Sequence, residues 1–409
     1  MAQGQGNISA SMYALSVAAK GKTMHDNIFT KTPGMYWLTK HGRVKSYDGG
    51  YAIQEFIEIT RNSTVAWRDS KKRIPLAEQD PFRTVQWTPA EVTASDSFYW
   101  KDDRRNVGGI KNFVSERINN TEKTFKELFG RSFYADGTQG SIATAGGAYL
   151  ETDVAPVPPE VTAIVDPVTG LPGGDPTLQG IEAIISDGYD ADGTTALGTP
   201  AQYYGAFVLP SITTSIDRTA AASAFWCAKV ERTQENWTIS GGTDGGLAAA
   251  VQNARMYEGS EVDLILSGWD IWNYYSSTLQ DNQRYVDEET AAAGFMHLAY
   301  QNALFVPDHY CPAPVRGCSD NTTPYLQTGL AANGTAGTSH SVKTYNTYCI
   351  CSDTLWLRPD APCKENMFST PAIQLDDTLA RNLLHVWAGQ MTCMAPRVNS
   401  KMINKTLPS

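Results

Sequence analysis

The chain has 409 residues, 42% of them hydrophobic and 19% charged, with a formal net charge of −10. This is the composition of a folded chain long enough for two or three cores, and it excludes a disordered one. The negative balance argues against a surface that grips nucleic acid all over, regardless of sequence.

No run approaches the roughly 20 consecutive apolar residues of a membrane-spanning helix. The opening "MAQGQGNISASMYALSVAAKGK" has neither a basic leader nor a long apolar stretch, so no signal peptide is expected. Seven Cys, an odd number in so long a chain, make a poor disulfide framework and read as reduced thiols in a cytoplasmic setting. Ten Trp and nineteen Tyr suit broad contact surfaces as well as cores.

In chain order, the first forty-odd residues are polar and weakly periodic and read as an extended arm. "YDGGYAIQEFIEIT" then sets Tyr51, Ile53, Ile57 and Ile59 in alternation with polar residues, the two-residue period of a strand. A basic, turn-prone stretch follows, and "FRTVQWT" returns as a second strand. The resulting hairpin has too few apolar residues for a core of its own and must lie against something else. From Val107 to Phe133 the period changes. Ile110, Phe113, Val114, Ile118, Phe125 and Phe129 recur at three- and four-residue steps, a helical stripe that Asp136-Gly137 ends.

Residues 150–200 are rich in Pro, Gly, Thr and Asp and read as long loops or an insertion. Beyond them, "GGLAAAVQNARMY" is helical, "DLIL" a buried strand, "GWDIWNYYSS" helical and "ALFVP" a strand. The tail offers "KTYNTYCICS", "TLWLRP" and "NLLHVWAGQMTCMAP" as further strands. An α+β chain with strands split between its middle and its tail suggests a discontinuous domain.

Several stretches invite a chemical reading. "SGGTDGG" before Leu247 is the nearest approach to a phosphate cradle, but it lacks the Lys-Ser/Thr pair of a P-loop. "SDGYDADG" offers Asp187, Asp190 and Asp192. Counting back from Asp192-Gly193 puts Gly188 where a calcium loop needs its first ligand, and no closing Glu follows. Asp308, His309, Cys311 and Cys318 cluster in sequence, yet their spacing matches no paired zinc motif.

Ser267-Gly268 resembles part of a hydrolase's nucleophile elbow, but Leu266 stands where that motif has a glycine. The sequence pairs none of the six His with Ser267. Ser267 as helix N-cap, with Asp270 bonding back across the first turn, is the better-supported role. The basic cluster Arg68, Lys71, Lys72 and Arg73, beside Trp67, is too short and isolated for a nucleic-acid groove. It is either the contact tip of a projecting hairpin or a solvated turn, and composition leaves both open.

Together these segments resemble the major capsid proteins of tailed bacteriophages. The likeness is strongest over "DLILSGWDIWNYYSSTLQDNQRYVDEETAAAGFMHLAYQNALFVPDHYCP", with Gln283, Arg284, Val286, Asp287, Gly294, Phe295, Asp308, Cys311 and Pro312 at family positions. "LQGIEAIIS" and "SIDRTAAASAFWCAK" upstream, and "TLWLRP" and "LLHVWAGQMTCMAPRVNSKMINK" downstream, are similar to family segments in the same order.

The resemblance implies an α+β chain with the Hong Kong ninety-seven capsid fold. Its implied layout is an N-terminal arm (1–45), an E-loop hairpin (46–100) and a peripheral domain with a long spine helix (101–145). An axial domain with a loop-rich insertion (146–340) and closing peripheral strands (341–409) complete it. E-loops of this fold lie across the adjacent subunit, which would supply the hairpin's missing partner and make Trp67, Arg68, Lys71, Lys72 and Arg73 an inter-subunit contact.

The implied function is that of a major capsid protein, not an enzyme, with no catalytic residue, cofactor or metal. Copies would form hexamers and pentamers of an icosahedral head around double-stranded DNA, without sequence specificity and without a membrane. The setting would be the virion, and the host cytoplasm during assembly. Scaffolding protein, portal and decoration protein are candidate partners. A cargo-enclosing nanocompartment shell of the same fold stands as the alternative, and an α/β hydrolase-type enzyme with its site near Ser267 and Asp308/His309 as the more distant one.

Overall fold

The structure, a computed structural model, describes residues 32–47, 50–60, 64–65, 67, 81–99, 120–121, 123–125, 128–137, 178–189, 193–197, 200–208, 213–232, 236–240, 245–256, 261–279, 298–311, 345–361, 368–374 and 380–404.

The first described element is helix α1 (Pro33–Lys40), with Pro33 in its first turn, where a missing N–H breaks no helical bond. Met35, Trp37 and Leu38 of this helix are buried. Gly34 sits so close to Phe133 that an added Cβ would lie 2.2 Å from its ring. The end of the expected arm is therefore a docked helix, because its apolar residues have a core to enter. The rest of the arm, residues 1–31, lies outside the described residues.

The expected hairpin is present as β1 (Ile53–Glu58) and β2 (Phe82–Trp87), antiparallel, with Ile53 opposite Trp87 and Glu58 opposite Phe82. Past Thr88-Pro89 the chain continues into β3 (Ala90–Tyr99). The described residues of 120–133 are helical and form α2, the C-terminal part of the expected long helix. Phe125, Phe129 and Phe133 are its buried stripe, and Gly137, at φ 91°, lies just past its end. Residues 107–119 of that expected helix lie outside the described residues.

A short helix α3 (Ile181–Ile184), strands β4 (Ala206–Val208), β5 (Thr213–Ser215) and β6 (Lys229–Glu231) follow. Then come the helices and strands expected in the middle of the chain, each within a residue or two. They are α4 (Gly246–Arg255), β7 (Leu264–Ser267), α5 (Trp269–Thr278) and β9 (Ala303–Pro307), with β8 (Leu298–Tyr300) added ahead of the last. The tail forms β10 (Tyr345–Ile350), β11 (Leu355–Pro359), β12 (Phe368–Gln374), β13 (Ala380–Cys393) and β14 (Ser400–Asn404).

The described residues form three sheets. A six-stranded sheet runs β6-β14-β10-β7-β9-β8 and interleaves middle and tail strands, the discontinuity that the split pattern suggested. Its β7 and β9 are parallel, joined through a crossover that includes α5. A second sheet centres on β13, which pairs with β11 over 389–393, β12 over 381–386 and β3 over 380–389. The segment that follows α1 runs parallel to β11, with Val44 opposite Leu357 and Tyr47 opposite Asp360. The third sheet runs β1-β2-β4-β5 and enlarges the hairpin.

The two-residue period of the six-stranded sheet divides the interior. Leu264, Leu266, Tyr348 and Ile350 face the larger core, with α2 and the hairpin base. Ile265, Cys349 and Met402 face the smaller one, with Trp237, α4 and α5. Both faces of this sheet are covered, which is why "DLIL" reads as a continuous apolar run. Within the larger core the Tyr134 hydroxyl donates to Asp308 at 2.7 Å. The Tyr348 hydroxyl donates to Glu182 at 2.7 Å, and Lys401 pairs with the other oxygen of Glu182.

Candidate assembly surface

The hairpin has an inner and an outer face, set by strand alternation. Along β1, Ile53, Glu55 and Ile57 are buried while Gln54, Phe56 and Glu58 are exposed. On β2, Val85 and Trp87 are inward and Phe82 outward, while Arg83, opposite Ile57, is exposed at the end of the inner face. The inner face enters the large core, where the Trp87 ring lies 5.9 Å from Tyr204 and 6.5 Å from Trp226. The orphan hairpin thus finds part of its core within its own chain.

Three devices weld its base to the body. Buried Glu55 accepts from Arg358 Nε at 2.7 Å and from the Thr392 hydroxyl at 3.1 Å, which ties β1 to β11 and β13. Strand β4 extends the sheet, with Val85 opposite Phe207 and Gln86 opposite Ala206. Gly205, at φ 76°, makes that approach possible, since an added Cβ would stand 2.9 Å from Val85. Gln390 donates to the Thr88 carbonyl at 3.0 Å, where β2 passes into β3.

The sequence reading did not single out Glu55, Arg358 or β4–β5. The available signal was Glu55 itself, an acidic residue at an inward position of Ile53-x-Glu55-x-Ile57. Such a group must find a partner when buried.

The outward side is different in kind. Nine large hydrophobic residues are exposed among the described residues, and five of them lie between Tyr51 and Phe82. Phe56 is 77% exposed, Phe82 57%, and Trp67 is bare. Ile59 N–H donates to the Pro81 carbonyl at 2.8 Å, closing the ladder just beyond the paired strands. Of the expected contact residues, Trp67 is placed here on the distal part of the hairpin. Arg68, Lys71, Lys72 and Arg73 lie outside the described residues.

The expected capping pair at residues 267 and 270 needs correcting. Ser267 is the last residue of β7, fully buried, and its carbonyl accepts the Asp308 N–H at 2.9 Å. That ladder bond holds Ser267 in the strand, and the cap falls on Gly268, whose carbonyl accepts the Trp272 N–H. Among the described residues the helix has no side-chain cap, and the Ser267 hydroxyl donates to the Gly268 carbonyl at 3.2 Å. Asp270 remains in the first turn, near the positive end of the helix. The aromatic helix is also buried on fewer sides than its composition suggests. Ile271 and Tyr275 are covered, whereas Trp269 is 41% exposed.

The enzymatic alternatives meet positive obstacles. A buried Ser267 bonded to its neighbour's carbonyl is not presented to a substrate. Asp308 is buried under the Tyr134 hydroxyl, and burial pushes its pKa up to about 6. At the start of α4, Leu247 and Ala248 N–H groups donate to the Thr238 and Ile239 carbonyls, so those amides are not offered to a phosphate. Asp187 is held by Arg232 at 2.6 and 2.9 Å, which fills the role a cation would take. Asp190, Asp192 and Cys318 lie outside the described residues. Burial raises the thiols of Cys311, Cys349 and Cys393, the last two to about 12, keeping them protonated at neutral pH.

No protein-family model matches the chain, and no curated protein sequence matches it. Solved structures do. The capsid asymmetric unit of cyanophage A-1(L) is similar with a TM-score of 0.51 at 13% identity, covering 90% of this chain and 91% of that one. The capsid of the empty GTA particle gives 0.44 at 6% identity over 89% and 95%. The satellite phage P4 procapsid gives 0.39 at 8% over 99% of each. The chain has the fold of phage capsid proteins, as the resemblance implied, over nearly its whole length.

Proposed function

We propose that this chain is the major capsid protein of a tailed phage. Copies associate through the projecting hairpin into hexamers and pentamers of an icosahedral head that encloses double-stranded DNA. The head is the virion shell, assembled in the host cytoplasm with scaffolding and portal proteins and carrying a decoration protein where one binds.

The observation that carries this reading is a capsid-type fold whose hairpin is welded at its base and leaves large hydrophobic residues bare on its outer side among the described residues. A hairpin that leaves Phe56, Val65, Trp67 and Phe82 in water is built for a surface the monomer lacks. The basic residues Arg68, Lys71, Lys72 and Arg73 follow Trp67 in sequence and would extend that contact to an acidic patch on the neighbour, within a chain of net charge −10.

The test is Lys71→Glu with Lys72→Glu in the full chain. The expected result is a folded monomer with unchanged thermal unfolding that no longer forms shells. Normal shells from this double variant would remove the tip from the contact. Shells of the wild type that enclose protein cargo and no nucleic acid would replace the phage head with the nanocompartment.

A further inference from the structure

We infer that residues 43–47 are a strap that closes on the base of the hairpin. Lys45 reaches across a small cavity to Glu55, so that the N-terminal helix α1 and the hairpin move as one unit. The inference concerns the single chain and does not depend on the shell reading.

The strap leaves α1 and lies along β11. Its Lys45 and Tyr47 N–H groups donate to the Leu357 and Pro359 carbonyls at 3.0 and 3.1 Å, and Leu357 N–H donates back to the Arg43 carbonyl at 2.9 Å. Arg43 adds a side-chain hold. It pairs with Asp353, and its guanidinium carbon lies 5.0 Å from the centre of the Trp356 ring. Arg358, which binds Glu55 at the hairpin base, lies 5.1 Å from the same ring. One tryptophan of β11 thus holds a cation of the strap and the cation that anchors the hairpin. The chain then passes Gly50, at φ 120°, and returns as β1.

Between strap and β1 lies a cavity of about 270 Å³, with Lys45 and Ser46 on one side, Gln54 and Glu55 on the other, and Arg358 in its wall. Glu55 brings an unmet requirement to it. Its Oε1 accepts from Arg358 and from the Thr392 hydroxyl, while Oε2 is buried with no partner among the described residues. A buried carboxylate oxygen without a donor is costly. Arg358 already directs its Nε and Nη2 at Oε1. Ser46 and Gln54 offer neutral donors, and a charge-assisted bond to an ammonium is roughly twice as strong as those. Lys45 is exposed and pairs with no carboxylate among the described residues. Its flexible four-carbon stem and three donors suit it to swing into the cavity and meet Oε2. That contact ties the strap to the hairpin at the residue where Arg358 ties the hairpin to β11.

The experiment uses the full chain as dispersed subunits, with the variants Lys45→Met, Arg43→Ala and Glu55→Gln. Acetylation by N-hydroxysuccinimidyl acetate, followed by peptide mass, compares Lys45 with Lys123, an exposed lysine of α2. Peptide-resolved hydrogen exchange compares β1 with α4. In the wild type, Lys45 is expected to react about tenfold more slowly than Lys123, because the closed strap holds its amine on Glu55. Arg43→Ala and Glu55→Gln should each bring Lys45 up to the rate of Lys123. Lys45→Met should speed exchange in β1 about tenfold and leave α4 unchanged, since only the hairpin base loosens. Lys45 is exposed and Arg43 half-buried, so these two variants carry the test should the buried Glu55→Gln fail to fold. A wild-type Lys45 that reacts as fast as Lys123 overturns the closure. Unchanged β1 exchange in Lys45→Met, or equal acceleration in α4, overturns the strap.

Discussion

The pair Glu55–Arg358 is where the hairpin's attachment can be weighed. Glu55 is 6% exposed and Arg358 8%, so neither charge is solvated and screening by water does not dilute the pair. Arg358→Met removes the cation and leaves a buried carboxylate with the Thr392 hydroxyl as its partner among the described residues. Breaking a buried ion pair from one side costs about 3–5 kcal/mol, because the surviving charge has lost its compensation. Glu55→Leu strands the guanidinium instead. Arg358 keeps the face of Trp356, 5.1 Å away, so this cost falls toward the lower end of that range, about 3 kcal/mol.

Replacing both residues removes both charges and roughly preserves volume, which brings the double variant within about 1–2 kcal/mol of the wild type. The double-mutant cycle therefore returns a coupling of several kcal/mol. Urea denaturation of the full chain, followed by Trp fluorescence, measures all four corners. Single variants costing under about 1 kcal/mol with an additive double variant, the behaviour of a solvated pair, would refute the argument that this contact anchors the hairpin.

Other positions give sharper single tests. Burial raises Asp308 from its usual 3.8 to about 6, so the fold disfavours its charge. Its contribution is fully present below the unfolded value and lost as pH rises through about 6. Asp308→Asn should therefore gain about 3 kcal/mol on the wild type between pH 3.5 and 7.5. Denaturation midpoints at several pH values check this, and a constant difference contradicts it. Gly205→Ala combines a positive φ with a Cβ 2.9 Å from Val85, so a loss of about 2 kcal/mol is expected on thermal unfolding. Ser267→Ala removes one local hydrogen bond and no cap, so it should cost about 1 kcal/mol or less and leave helicity unchanged by circular dichroism.

The legible parts of the fold were those whose periodicity faces a single core. Ile53 and Ile57 announce β1, and Phe125, Phe129 and Phe133 announce the buried stripe of α2, because each pattern reflects burial directly. β3 was not legible. "AEVTASDSFY" carries Val92, Thr93, Phe98 and Tyr99, but Ser95, Asp96 and Ser97 interrupt its apolar alternation, and it is a strand because β13, some 290 residues away, supplies its partner over ten positions.

The capping reading failed by one residue for a related reason. A Ser next to a helix looks like a cap locally, but where β7 ends is decided by the Asp308 N–H bond from another strand. The hairpin's need for outside packing was legible from its shortage of apolar residues. Its actual anchors, Arg358 and Thr392, were not, because nothing local links them to Glu55.

Electron microscopy of the expressed full chain, with a scaffolding protein supplied, tests the central claim most directly. The account predicts closed icosahedral shells in which the projecting hairpin β1-β2 of each subunit lies against its neighbour. Fields of dispersed monomers under those conditions, or shells in which Phe56 and Phe82 face solvent, would contradict it.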